Sequence, residues 1–564
     1  MKKFHEIEYK RPDVEVLINS ISELKEEFPN ADAKRQIELV YESDRIARKY
    51  FTANTICQIR FTMNTADEFY KKETDFYNEN SPLFIEAMTA FQNEVLESKY
   101  KDELEAEFFK QALKLLEMQK KSFDPSIVED LVEENKTSNE YSELIGSAQI
   151  EYEGEMYTLS RLIPKMQVED REKRKSASEA YYGFFKENMD KFDDIFDRLV
   201  KIRHRMAKKL GFKNHIELGY LNMNRSDYGP ADVEVYRDAI VKYVVPYASS
   251  IYERQRQRLG LDKLKYYDEA YKFESGNPTP KGEPEWLIQR AKEMYSEMSP
   301  ETKEFFDFME EYELFDLVSR DGKMSGGYCT PLTEYKAQFI FANMNGTAHD
   351  VVVLTHEAGH ALQVYLARNL PLSLYIFPTY EACEIHSMSM EFFTMPYMER
   401  FFKEDTEKYK YSHLAGTMEF IPYGALIDEF QHYVYENVDD TPEMRRTKFR
   451  ELERKYLPHR DYEDNEFLES GGFFFRQNHV FLSPFYYIDY TLAQICAIGY
   501  LRMLKEDYDD AFKNYLDLCK LGGSKSFLEL VESTGLPNPF EERTIELAVN
   551  TVKSYLDKID DSQF

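Results

Sequence analysis

One segment constrains this chain more than any other: Val351-Val352-Val353-Leu354-Thr355-His356-Glu357-Ala358-Gly359-His360-Ala361-Leu362. It sets His-Glu-x-x-His in an apolar run. Two histidines four residues apart fall on one face of a helix, a single turn from each other. Both imidazoles can therefore reach one metal ion, with the intervening glutamate placed as a general base toward water. With 11 His and 103 acidic residues in 564, roughly 0.04 chance matches to His-acid-x-x-His are expected, and the competing reading is a helix whose histidines are hydrogen-bonded in the core. The helix has a start signal: Gly346 ends the preceding segment, Thr347 can cap, and Asp350 adds negative charge to the first turn.

A catalytic zinc site takes three protein ligands, so two histidines leave it incomplete. Downstream, Thr379 to Phe393 reads as a second helix ending near Pro396. It offers Glu384, His386 and Glu391. Glu384 and Glu391 are seven apart and share a face, so one could bind metal while the other supports a ligand. Chemistry alone leaves the choice open.

Composition narrows the classes. Hydrophobic content of 43% and charged content of 31% suit a soluble globular chain. The length corresponds to about three to four domain-sized units. No apolar run approaches about 18 residues, so no membrane span is expected. The N-terminus lacks an apolar segment, so no signal peptide is expected. Five scattered cysteines form no C-x-x-C pair, which fits a reducing cytoplasm and leaves out a cysteine zinc site. A net charge of −31 argues against nucleic acid, whose phosphates need clustered Lys and Arg.

Long amphipathic helices are expected over 33–54, 66–77, 82–99 and 102–120. Alternation around Glu153-Gly154 predicts a β-hairpin at 148–159. Helices resume at Asp170 and run to Leu210, where Gly211 marks a boundary between an N-terminal helical part, 1–210, and a catalytic part, 211–564. A glycine-rich turn at 323–329 and a strand at 338–343 precede the histidine helix. A sheet edge there could pair with an extended peptide through backbone hydrogen bonds, which makes Gly326, Gly327, Tyr328, Ala342 and Asn343 substrate-binding candidates. Near the C-terminus, Ser483 reads as an N-cap and Pro484 as the first residue of a helix on which Tyr486 and Tyr490 share a face beside Tyr487. A phenol there can donate to an oxyanion.

His356-Glu357-Ala358-Gly359-His360, with Glu384 in Glu-Ile-His-Ser and Glu391 seven beyond, resembles the thimet-oligopeptidase and oligoendopeptidase F family of zinc metallopeptidases. So do Phe339 to Thr347 and Lys209-Leu210-Gly211-Phe212. Length and the hairpin are similar to the bacterial Pz-peptidase branch, which acts on collagen-derived peptides. The resemblance covers most of the chain, with its specific motifs between about 320 and 490. It implies zinc held by His356, His360 and Glu384, with Glu357 as base and Glu391 behind the ligands. It also implies an oxyanion site built from His479 with Tyr486 and Tyr490, and Tyr487 beside the substrate. His386 departs from the family, which more commonly has a small residue there. The expected fold is mostly α, a two-part helical shell around a deep channel, with a small β-sheet beside the histidine helix. The expected function is cytoplasmic, zinc-dependent cleavage of short unfolded peptides. The alternatives are a non-catalytic peptide-binding protein on the same scaffold, or another zinc amidohydrolase.

Overall fold

A computed structural model describes residues 1–564 except Asp321, Ser325, Ser562 and Gln563. The chain begins with four long helices, Val14–Glu27, Ala33–Met63, Glu68–Leu96 and Lys101–Ser122. Asp13, Asp32 and Asp67 cap the first three by accepting backbone N–H groups of the opening turn. The expected break before Pro82 is absent: Pro82 lies inside the helix Glu68–Leu96. A proline there loses one helical hydrogen bond, and packing on both sides carries the helix through. Tyr77 and Phe84, on either side of it, are both buried against Tyr50, at ring-centroid distances of 5.8 and 4.1 Å.

These helices bury a core of their own, from Val14 to Leu113, which Leu372 and Tyr375 join from far along the chain. A second and much larger core takes in most of the remainder, including Phe185, Phe192 and Phe196 of the helices Arg171–Glu187 and Met189–Lys209.

The hairpin is present as strands β1 (Ile150–Tyr152) and β2 (Glu155–Tyr157), paired antiparallel. Its two turn residues, Glu153 and Gly154, both have positive φ, 52° and 81°, as a tight hairpin turn requires. Three further strands form the sheet beside the site: β3 (Phe315–Val318), β4 (Tyr328–Leu332) and β5 (Ala337–Met344), in the order β3-β5-β4. β5 is central and almost wholly buried, which suits its run of apolar residues. It runs parallel to β3 and antiparallel to β4, with Tyr328 opposite Phe341. The two rings stack at 4.8 Å. A mostly helical fold with one small sheet against the histidine helix is therefore what the chain forms.

Candidate metal centre and active site

The histidine helix spans His349–Ala367 and follows β5 directly. The cap expected from Thr347 is replaced by another device. Asp350 accepts the backbone N–H groups of Asn345, at 2.9 Å, and Gly346, at 2.7 Å. Asn345 in turn accepts from the Thr347 backbone at 3.2 Å and its hydroxyl at 2.8 Å. Gly346 has φ of 87°, so the turn needs a residue without a Cβ. Thr347 thus donates within the turn, and its side chain does not cap the helix.

A second helix, Tyr380–Phe393, crosses this one, and every residue from Glu381 to Phe393 is buried. Gly359 sets how closely they meet. A Cβ there would stand 2.6 Å from the His386 carbonyl oxygen and 2.7 Å from the Ser387 Cα. The missing side chain lets the two backbones touch, and that brings Glu384 to the histidines. Oε2 of Glu384 lies 3.2 Å from His356 Nε2 and 3.3 Å from His360 Nε2. Among the described residues, these three form the one group of His, Cys, Asp or Glu donors close enough to hold a metal ion.

The donors fit zinc. Bonds of about 2.0–2.1 Å to a tetrahedral ion put neighbouring donors about 3.3–3.4 Å apart; Glu384 stands at 3.2 and 3.3 Å from the two histidines, and all three donor atoms lie within 4.8 Å of one another. The electrostatics agree. Burial works against charge on His356, yet Glu384 and Glu391 hold its pKa well above the ordinary value. Burial would raise Glu384, but His360 and His356 keep it well below the usual carboxylate range. A buried carboxylate between two imidazoles attracts positive charge to this point, and a divalent cation meets that demand.

The surrounding groups orient each donor. His356 Nδ1 lies 2.7 Å from Glu391 Oε1, and His413 Nε2 lies 3.3 Å from the other Glu391 oxygen. His360 Nδ1 meets Cys383 Sγ at 3.2 Å. Ser387 donates to Glu384 Oε2 at 2.8 Å, and Tyr486 donates to its Oε1 at 2.7 Å. His386 stands apart: it is buried, neither ring nitrogen has a hydrogen-bond partner, and burial pulls its pKa to about 3. Ser387 could have been suspected from its place three residues after Glu384. Cys383 and His413 carried no such signal, because their roles depend on helix packing.

Glu357 is buried beside the donors, and its Oε2 has no hydrogen-bond partner. Burial raises its pKa, with the two histidines pulling the other way. Its Oε1 faces Gly327, whose added Cβ would lie 3.5 Å away. The glycine-rich loop is anchored from below. Lys323 donates to the Ala342 carbonyl at 2.6 Å and pairs with Asp316 at 2.8 Å. The Asn343 amide donates to the carbonyls of Met324 and Gly326, both at 2.8 Å. Ala342 is buried, so it and Asn343 hold the loop in place, while Gly326 and Gly327 are exposed. The Tyr328 hydroxyl lies 2.6 Å from Thr62 Oγ1.

The tyrosine helix begins later than expected, at Tyr487. Phe485 has φ of 69° and cannot continue a helix. Its ring is buried where Gly219 leaves room, since a Cβ on Gly219 would lie 2.5 Å from that ring. Gln431 accepts the Phe485 backbone N–H at 3.1 Å, and Arg225 donates to its carbonyl. This strained turn replaces the expected cap of Ser483 and Pro484, and it aims Tyr486 at Glu384. His479 sits among three rings, with centroids 5.6 Å from Tyr486, 4.9 Å from Tyr487 and 5.6 Å from Tyr490.

A helical chain that packs a His-Glu-x-x-His helix against a second helix bearing the third donor has the make-up of a metallopeptidase. The chain belongs to peptidase family M3: the family's model matches residues 165–547, and that of the Peptidase M3 N-terminal domain matches residues 4–123. Pz peptidase A, solved with an inhibitor, is 48% identical, with a TM-score of 0.97 over 99% of this chain and 100% of that one. A putative oligoendopeptidase F from Bacillus anthracis str. Ames is 46% identical, with a TM-score of 0.93 over the whole of both chains. The oligoendopeptidase F homolog of Borreliella burgdorferi is 26% identical over 405 residues; the match covers 70% of this chain and 66%, just under two thirds, of that relative.

Proposed function

We propose that this chain is a zinc-dependent endopeptidase that hydrolyses short unfolded oligopeptides, Pro- and Gly-containing peptides of collagen origin among them. The convergence of His356, His360 and Glu384, with Glu357 beside them, carries the reading. The likeness to Pz peptidase A supports a peptide substrate, and the collagen-derived class follows from the family resemblance alone.

His356, His360 and Glu384 would hold the cation. When bound, it supplies Lewis-acid chemistry, polarising the scissile carbonyl and acidifying water. Glu357 takes a proton from the attacking water through its unpartnered oxygen and delivers it to the leaving amine. Tyr486 spends its hydroxyl on Glu384 and steadies that ligand. His479 and Tyr490, with Nε2 and hydroxyl 3.4 Å apart, supply donors to the oxyanion. The exposed Gly326 and Gly327, the first held through its carbonyl by Asn343, would lie along an extended peptide, and Tyr328 and Tyr487 flank its path. A two-part shell around a channel would admit short unfolded chains and exclude folded ones. All five cysteines are unpaired, which supports a reducing cytoplasm. No described helix is long and apolar enough to cross a membrane.

The test is a quenched fluorescent peptide assay on wild type and Glu357→Gln, with metal content measured in parallel. Turnover should fall about 10²- to 10⁴-fold, the worth of a general base, with metal retained. If Glu357→Gln cleaves as fast as wild type, the base is misassigned. A chelator that leaves activity untouched would remove the metal from the mechanism.

A further inference from the structure

A second row of groups meets His479 at its Nδ1. Gln477 is two residues earlier, and its Nε2 lies 2.8 Å from His479 Nδ1. Tyr423, on the long helix Thr406–Glu436, donates its hydroxyl to Gln477 Oε1 at 3.1 Å. Tyr423 is itself held edge-on by Phe473 and Tyr487, at 5.8 and 5.7 Å. The segment that bears Gln477 and His479 is pinned by Tyr141, whose single hydroxyl proton is shared between the Phe475 carbonyl at 3.0 Å and Asn478 Oδ1 at 2.8 Å.

We infer that Gln477, oriented by Tyr423, is a positioning residue that sets the tautomer of His479. An amide has one donating and one accepting end. A hydroxyl donating to Oε1 leaves Nε2 as the end that faces the imidazole. Nδ1 must then be bare and accept, which puts the ring proton on Nε2. That nitrogen faces Tyr490, whose phenol is kept un-ionised first by burial and then by the Glu384 and Glu357 carboxylates. A proton at Nε2 can stabilise negative charge developing on the substrate carbonyl, whereas a lone pair there would repel it. Burial also holds the imidazole neutral, at a pKa of about 4, so near neutral pH the ring carries one proton and its placement matters.

This inference rests on His479 serving the oxyanion, and its test separates the two ideas. The zinc-loaded full chain, labelled with ¹⁵N-histidine, is examined by long-range ¹H–¹⁵N correlation near neutral pH. The His479 signals are identified by their loss in His479→Gln. A protonated Nε2 and a bare Nδ1 are expected in wild type, and in Gln477→Glu, whose carboxylate accepts, a proton should appear on Nδ1. A proton on Nδ1 in the wild-type neutral ring would overturn the inference, whatever the activity. Kinetics supply the second arm. Gln477→Met should lower kcat about 3- to 10-fold with KM changed less than twofold, and should have no further effect in a His479→Gln background. Equal losses in both backgrounds would show that Gln477 acts only on the structure. If His479→Gln alone leaves kcat intact, the oxyanion role fails, while the tautomer measurement still stands or falls by itself.

Discussion

Glu391 is no member of the donor triangle, yet its two oxygens reach His356 and His413. It fixes the ring of a metal ligand, and losing such a partner typically weakens metal binding 10- to 100-fold. Glu391→Gln should therefore raise the zinc dissociation constant about 10- to 100-fold, measured by competition with a fluorescent chelator. An unchanged constant would show that the contact does not orient His356. His356 and His360 were legible in the sequence because helical spacing places them on one face, with Glu357 between them; spacing offered Glu384, His386 and Glu391 without choosing, and the family resemblance made the choice. Cys383, His413, Gln477 and Tyr423 were not legible. Each acts through a partner on another element or a loop, and no local spacing encodes those meetings.

Between elements, the decisive contact is the one at Gly359. The two nearest neighbours of an added Cβ are backbone atoms, which cannot swing aside. Gly359→Ala should push the two metal-bearing helices apart, lower stability by about 1–3 kcal/mol, and weaken zinc binding in the same variant. Denaturant unfolding of the apo chain, paired with the chelator titration, checks both; full stability and affinity in the alanine variant would contradict the role given to Gly359. The long helix Thr406–Glu436 offers a pH test. Burial pulls His432 down to about 4 from an ordinary value of 6.5, against the pull of Asp428. Its folded pKa lies below its unfolded one, so the unfolded chain takes up this proton first as pH falls. Stability present above pH 6.5 is then lost progressively toward pH 4. Between pH 7 and pH 5, His432→Gln should lose ~2 kcal/mol less than wild type, read from urea midpoints; equal losses would place the titration elsewhere. Element boundaries were less legible than element types. Pro82 reads as a helix start, but aromatic packing on Tyr50 overrides it. Ser483-Pro484 has the chemistry of a cap, but the buried Phe485 ring forces a turn that delays the helix to Tyr487.

Across the whole molecule, the large core ties the sheet, the histidine helix and the C-terminal tyrosine helix into one body, and this brings Tyr486 to Glu384, 102 residues away in the chain. The mostly helical class was readable from periodicity, and the small sheet from β5 and its glycine-rich neighbour. The separate N-terminal core was not readable, because its closure depends on Leu372 and Tyr375 arriving from elsewhere. If the proposed shell excludes folded chains, digestion of a peptide library and of a folded protein should differ: short peptides cleaved, the folded substrate intact for as long as it stays folded. Comparable cleavage of both would rule out a size-selective channel. The central claim is a cation gripped by His356, His360 and Glu384, and metal analysis of the purified chain tests it most directly. Wild type and His386→Ala should each carry one zinc per chain, and Glu384→Ala should carry almost none. A Glu384→Ala protein that retains its zinc, or a His386→Ala protein that loses it, would contradict the account.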